Sequence, residues 1–125
     1  MEMFIDKELE KIVQDNKGIF ELRNQKVKDI EKDVSILETY LTLAGYDSHV
    51  SQPIGGESHN DILFPYGFIS ISDNKVCFQE RRGDKHKYFS ELDNMHKLML
   101  FPYLKVLLNH LFRNLKIQIG ENYHD

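Results

Sequence analysis

The fold is set by residues 9 to 44, which read LEKIVQDNKGIFELRNQKVKDIEKDVSILETYLTLA. Apolar side chains recur here every seven residues on two positions, which is the pattern of a coiled-coil seam. The seam consists of Leu9, Val13, Phe20, Val27, Ile30, Val34, Leu37 and Leu41. A straight helix of this length runs about 54 Å, whereas a compact globule of this chain length is roughly 36 Å across. The helix must therefore fold back or find a partner, and we predict self-association along the seam.

Capping and turn residues mark the limits of the helical segment, residues 1 to 44. Asp6 is suited to cap its start, and Gly45 follows its last apolar residue as a stop signal. Inside the segment, residues 15 to 18 read DNKG, and a glycine in a helix interior costs about 1 kcal/mol relative to alanine. Two arrangements remain open: a short helix folded against a longer one, or one continuous helix paired with a second chain.

The net charge of −4 is unevenly distributed along the 125 residues. Residues 1 to 50 carry 11 acidic residues against 7 Lys and Arg, whereas residues 51 to 125 carry 9 of each. A net-acidic chain is a poor general binder of nucleic acid, because phosphate binding depends on Lys and Arg. The charge therefore favours a protein partner.

Length and composition predict one domain over residues 1 to 125 in the cytoplasm. A chain of this size can bury one modest core. The acidic N-terminus lacks the pattern of a secretion signal, and a single cysteine excludes an internal disulfide framework. The longest apolar stretch is interrupted by polar residues well short of the ~20 residues that span a bilayer, so we expect no membrane contact.

After the helix we expect a loop at residues 45 to 65, a three-stranded antiparallel meander at 66 to 89 and a helix at 90 to 117, hence an α+β fold. A turn at Asp73-Asn74 places Ile69, Ile71, Val76 and Phe78 on one apolar face. A second turn at Gly83-Asp84 pairs Phe78 with Phe89 on the same face.

The last helix is expected to begin with Ser90 as its N-cap. Pro102 falls in its middle, where proline removes a backbone bond and clashes with the preceding turn. We expect a helix kinked near Pro102, or a second helix that starts there.

Residues suited to catalysis or metal binding are few. Glu57, His59 and Asp61 alternate in the loop, and His86, His96 or His110 could complete a metal site, with Glu57 as general base of a hydrolase. The spacing is unspecific, so we predict no metal, no cofactor and no enzyme activity. Cys77 and His86 lie about 13 Å apart in the predicted register, too far for a nucleophile and its base.

A basic second hairpin is the remaining candidate surface for a partner. It carries Arg81, Arg82, Lys85, Lys87 and Tyr88. Such a ribbon can bind nucleic acid, although basic residues at a hairpin tip more often keep a strand edge soluble.

The sequence thus predicts a non-catalytic protein-binding module, a homodimeric adaptor, chaperone or inhibitor of the kind that bacteria or phages direct at a larger protein. A nucleic-acid-binding regulator that uses the basic hairpin is the alternative, and a metal-dependent hydrolase that uses residues 57 to 61 is the second alternative.

Overall fold

The structure, a computed structural model, describes residues 4–54, 67–80 and 85–120. Its elements are helix α1 (Lys7–Asp15), helix α2 (Ile19–Ala44), strands β1 (Val50–Ile54), β2 (Gly67–Ser72), β3 (Lys75–Gln79) and β4 (Lys87–Tyr88), a 3-10 turn (Phe89–Glu91) and helix α3 (Asn94–Gln118). The predicted α+β class is confirmed, with a long N-terminal helical segment, antiparallel strands and a C-terminal helix.

The N-terminal helical segment is bent at the predicted interruption. Asp6 caps α1, because its carboxylate accepts the N–H groups of Glu8 and Leu9 at 2.9 and 3.3 Å. Residues 16 to 18 form a turn between the helices, and Gly45 ends α2 with a φ of 75°. Because α1 buries none of its residues, it does not fold back against α2.

The four described strands form one antiparallel sheet in the order β1-β2-β3-β4. Ser72 lies opposite Lys75, as predicted, around a turn in which Asp73 and Asn74 have φ angles of 52° and 62°. Positive φ at both positions is the signature of a type I′ hairpin. The predicted face of Ile69, Ile71, Val76 and Phe78 is confirmed, and all four are buried.

Strand β1 corrects the prediction that residues 45 to 65 form only a loop. Val50–Ile54 pairs with β2 and buries Val50 and Ile54 on the core face. Pro53 favoured a loop in the sequence, but proline is tolerated on an edge strand, where β1 lies. Residues 55 to 65 of the predicted loop lie outside the described residues.

The pairing of β3 with β4 differs from the prediction by two residues. Phe78 lies opposite Lys87, not Phe89. The strand ends at Tyr88 because Phe89 enters the 3-10 turn and is buried in the core, while the Tyr88 N–H donates to the Glu91 carboxylate at 3.1 Å. The predicted turn at Gly83-Asp84 lies outside the described residues.

The C-terminal helix begins at Asn94, four residues later than expected. Its N-cap is Asp93, which accepts the N–H of His96 at 2.8 Å, whereas Ser90 lies in the 3-10 turn. This backbone bond and a bond from the His96 ring lower the pKa of the Asp93 carboxyl. The helix continues through Pro102 to Gln118, so the alternative of a second helix starting at Pro102 is wrong.

One face of the sheet is covered by α2 and α3. Helix α3 packs on β1 and β2, while α2 packs on β3 and on α3. The core cluster combines Ile30, Val34, Leu41, Val50, Ile54, Ile69, Ile71, Val76, Phe78, Phe89, Leu100, Leu104, Leu107 and Leu111. At its edge the buried Lys97 of α3 donates to Glu31 of α2 at 2.6 Å, which links the two helices.

Glu38 of α2 completes the hydrogen bonding of β3. Its carboxylate accepts the Val76 N–H at 2.8 Å, and Lys75 Nζ lies 4.0 Å from the other carboxylate oxygen. Strand β4 ends opposite Cys77, so no β4 residue pairs with Val76. The helix thus supplies an acceptor that the short strand lacks.

Replacing Glu38 by Ala is expected to lower the free energy of unfolding by about 1.5–3 kcal/mol, the value of a hydrogen bond to a charged group. Glu38→Gln keeps an oxygen acceptor and is expected to cost less than about 1 kcal/mol. Chemical denaturation of both variants measures the difference. Equal losses for the two would contradict the role of this hydrogen bond.

Candidate functional site

The predicted seam is divided between the core and the surface. Val27, Ile30, Val34 and Leu41 are at most 4% exposed and lie in the chain's own core, with Leu37 packed against the core cluster. Ile30, Val34 and Leu41 belong to the core cluster that also contains sheet and α3 residues of the same chain. The four buried side chains are not available to a second copy, whereas Leu37 is partly exposed. The prediction that the C-terminal half of the seam contacts a second copy is therefore corrected, because a side chain buried in its own core cannot also be buried against another chain.

The N-terminal half of the seam is exposed. We define residues 5 to 22 as the N-terminal arm. Every large aliphatic or aromatic side chain in the arm is at least 42% exposed, and Phe20 is 74% exposed. These side chains are Ile5, Leu9, Ile12, Val13, Ile19, Phe20 and Leu22. Apolar exposure on this scale marks an interaction surface in soluble proteins.

Four of these residues are absent from the predicted seam. Ile5, Ile12 and Ile19 recur every seven residues, with the last two directly before Val13 and Phe20. Reading this third heptad position in the sequence would have identified the three isoleucines. No heptad repeat marks Leu22.

Helix α1 has the amphipathic pattern of a helix that binds in a groove or against another helix. Leu9, Ile12 and Val13 follow the i, i+3, i+4 spacing of one face. Exposed ion pairs form elsewhere on α1, at 3.8 Å between Lys7 and Glu10 and at 3.1 Å between Lys11 and Asp15. Such surface pairs add little stability, so the apolar face decides what this helix can bind.

The basic hairpin is only partly described. Arg81 and Arg82 lie outside the described residues, while Lys85, Lys87 and Tyr88 are exposed. Lys87 lies opposite Phe78 and Tyr88 opposite Cys77, so the two side chains lie on opposite faces of the sheet. The described residues therefore do not form one basic surface, and the nucleic-acid alternative stays a prediction.

The predicted metal ligands are not brought together in the part of the chain that the structure describes. Glu57, His59 and Asp61 lie outside it, and no group of three or more His, Cys, Asp or Glu suited to a metal occurs within it. The His96 ring contacts the Asp93 carboxylate at 2.7 Å. The hydrolase alternative likewise stays a prediction.

The sheet face opposite the helices mixes polar side chains with apolar and aromatic ones, among them Phe68 and Tyr88. Ser51, Ser70, Cys77 and Tyr88 lie side by side across the four strands. The Ser70 hydroxyl lies 3.5 Å from His86 Nδ1, and the rings of His49 and His86 are 6.4 Å apart. This serine and histidine resemble a nucleophile and its base in composition only, because Ser70 is 1% exposed and a substrate cannot reach it.

Cys77 is buried in the same row of residues. In the observed register Tyr88 lies opposite Cys77, and His86 is two residues, or about 7 Å, from Tyr88 along the chain. His86 therefore lies closer to Cys77 than the predicted register placed it. Burial, together with the negative charges of Glu38 and Asp73, raises the pKa of the Cys77 thiol to about 11. The thiol is therefore protonated at neutral pH and is a weak nucleophile.

Comparisons with known proteins give no family or relative. No protein-family model, no curated protein and no solved structure matches this chain. Among the described residues, none of the helices combines the length and apolar character needed to cross a membrane.

The folded protein is expected to resist alkylation of Cys77 by iodoacetamide near pH 8, where about one thiol in a thousand is ionised if the pKa is about 11. Unfolding in guanidinium restores an ordinary thiol pKa and full labelling. Mass spectrometry of both samples measures the modified fraction. Fast labelling of the folded protein would contradict the buried, protonated thiol.

Proposed function

We propose that this protein is a non-catalytic protein-binding module that forms a homodimer through its N-terminal arm and acts as an adaptor, chaperone or inhibitor of a larger protein. The exposure of all seven large apolar side chains of the arm carries the proposal. Helix α1, which buries none of its residues, presents this surface without being covered by the described part of its own chain.

The size of the arm is sufficient for a dimer of moderate affinity. Fully burying a large apolar side chain contributes about 1.5–3 kcal/mol, and partial burial of partly exposed ones contributes about 1 kcal/mol each. Two arms with seven such side chains each then gain roughly 14 kcal/mol. Association costs about 4–15 kcal/mol, so this gain exceeds the cost over most of the range, and a micromolar dimer, worth about 8 kcal/mol, requires a cost of about 6 kcal/mol or less.

The distribution of charge supports a second copy in antiparallel orientation. Residues 5 to 15 carry 4 acidic and 2 basic residues, a net charge of −2. Residues 16 to 28 carry 1 acidic and 4 basic residues, a net charge of +3. This basic stretch extends six residues past the arm into α2. Antiparallel pairing over residues 5 to 28 places the acidic half of each copy beside the basic half of the other, whereas parallel pairing places like charges together.

The double variant Val13→Asp, Phe20→Asp is expected to be monomeric where the wild-type protein is dimeric, because it places charge in the apolar contact. Light scattering at tens of micromolar measures the mass. Both side chains are exposed, so the circular dichroism spectrum is expected to stay near that of the wild type, and the melting temperature is expected to fall only by the stability that dimerisation contributes.

Leu43→Asp is the matched control for this experiment. Leu43 is 83% exposed and lies outside the arm, so the same chemical change leaves the dimer intact. A wild-type protein that stays monomeric at these concentrations would overturn the homodimer, as would an equal loss of dimer in Leu43→Asp.

Orientation is tested by reversing charge in the basic half. Lys17→Glu with Lys26→Glu is expected to weaken the antiparallel dimer several-fold at low salt, and added salt is expected to reduce the difference from wild type. Sedimentation equilibrium at two ionic strengths measures both dissociation constants. A dimer strengthened by these changes would contradict antiparallel pairing.

A further inference from the structure

A groove lies between α2 and α3 where the N-terminal arm ends. It has a volume of about 390 Å³ and is lined by six residues of α2, from Leu22 to Asp33, and by Phe101 of α3. Leu22 is both the last residue of the arm and part of this lining. It is 70% exposed, whereas Ile30 in the same groove is 2% exposed. The groove therefore connects the exposed arm with the core of the chain.

The groove combines apolar and charged side chains. Leu22, Ile30 and Phe101 supply aliphatic and aromatic surface, while Lys26 and Asp29 supply charges of opposite sign. Phe101 packs against the core cluster and is only partly buried, so one part of its ring surface is open. A groove of this composition suits an amphipathic helix, which brings an apolar face together with charged flanks.

Helix α1 has the properties of such an occupant. Its face of Leu9, Ile12 and Val13 is exposed, and it carries acidic and basic residues on its other sides. In its own chain α1 buries none of its residues and lines no part of the groove. An α1 helix that fills the groove therefore has to come from a second copy.

The antiparallel pairing proposed above brings α1 of one copy to the groove of the other. Pairing over residues 5 to 28 places residue 5 opposite residue 28 and Leu9 opposite residue 24. Residue 24 lies between Leu22 and Gln25, which line the groove. Ile5 and Leu9 are four residues apart and thus share one side of the arriving segment.

The charges of the two facing segments are complementary in this register. Residues 5 to 10 carry 3 acidic residues and 1 basic residue, a net charge of −2. Residues 23 to 28, which face them, carry 3 basic residues and no acidic residue, a net charge of +3. Parallel pairing would instead place each segment beside its own charge.

We propose that α1 of a second copy docks in the groove between α2 and α3, where its Ile5 and Leu9 side chains contact Phe101. The proposal rests on the proposed dimer and adds α3 to the interface. Because the pairing is two-fold symmetric, each copy supplies one helix and one groove. The contact covers Phe101 in addition to the seven apolar side chains of the arm.

Cross-linking between two variants that each gain one cysteine tests the groove. Leu9→Cys is mixed with Phe101→Cys, and a short bismaleimide is expected to give a covalent dimer that contains one copy of each variant. Cys77 is buried, so the wild-type protein measures the background. Denaturing electrophoresis and mass spectrometry identify the product.

Val106→Cys in place of Phe101→Cys is the matched control. Val106 is 42% exposed on α3, is not part of the groove lining and lies about 140° around the helix from Phe101. The yield with Leu9→Cys is expected to be at least several-fold lower at Val106 than at Phe101. Equal yields at the two positions, or no yield at Phe101, would overturn docking in the groove.

Light scattering of the wild-type protein separates this proposal from the dimer on which it rests. A monomeric wild type would overturn both. A dimeric wild type that loses its dimer in Val13→Asp, Phe20→Asp but gives no cross-link at Phe101 would keep the arm-to-arm dimer and overturn the groove. The groove would then be open to a different protein.

A double-mutant cycle measures the contact without a cross-linker. Leu9→Ala and Phe101→Ala are each expected to raise the dimer dissociation constant several-fold. The double variant is expected to raise it by less than the product of the two effects, because the two side chains contact each other. Phe101→Leu repeats the cycle with an apolar side chain kept against the core. Effects that multiply in both cycles would contradict the contact.

Discussion

Burial of the apolar sheet face under α2 and α3 is the constraint on which the rest of the structure depends. The sheet has one apolar face, and α2 covers its part of that face with the residues from Val27 to Leu41. Toward the N-terminus, no residue of α2 before Val27 and no residue of α1 is buried, so the apolar side chains of the arm are exposed. The exposed arm is therefore a consequence of how the core is formed.

Polar groups at the borders of the core make this packing specific. Glu38 accepts the Val76 N–H that the short β4 leaves unpaired, and Lys97 bonds Glu31 between the two helices. A buried N–H or a buried lysine without a partner costs several times what an average hydrogen bond contributes. These contacts fix the position of α2 relative to β3 and α3, which sets the point along α2 where burial begins.

The helices cover one face of the sheet, and the opposite face carries side chains of different chemistry, of which Ser70 and Cys77 are buried as well. This opposite face carries hydroxyl, imidazole and amide groups beside the ring of Phe68, and at the β1 edge it meets His110 and Arg113 of α3. The arm exposes seven large apolar side chains, whereas the side chains at the β1 edge are largely polar. The two surfaces use separate residues.

Local sequence patterns predicted those helices and strands that carry clear periodicity, capping residues or turn residues. The heptad spacing, the caps at Asp6 and Gly45 and the turn at Asp73-Asn74 specified the helical segment and the first hairpin, because each acts over a few residues. Strand β1 was missed because its edge position, which tolerates proline, is a property of the whole sheet. The predicted pairing of Phe78 with Phe89 was wrong because Phe89 is buried in the core and is not part of the strand.

The sequence by itself determined that an apolar stripe runs the length of the helical segment, since periodicity is a local property of the chain. Only the tertiary structure decided which part of that stripe is core and which part is surface. The physical reason is that burial depends on what lies on the other side of a helix. That neighbour, here the sheet and α3, comes from residues far away in the chain.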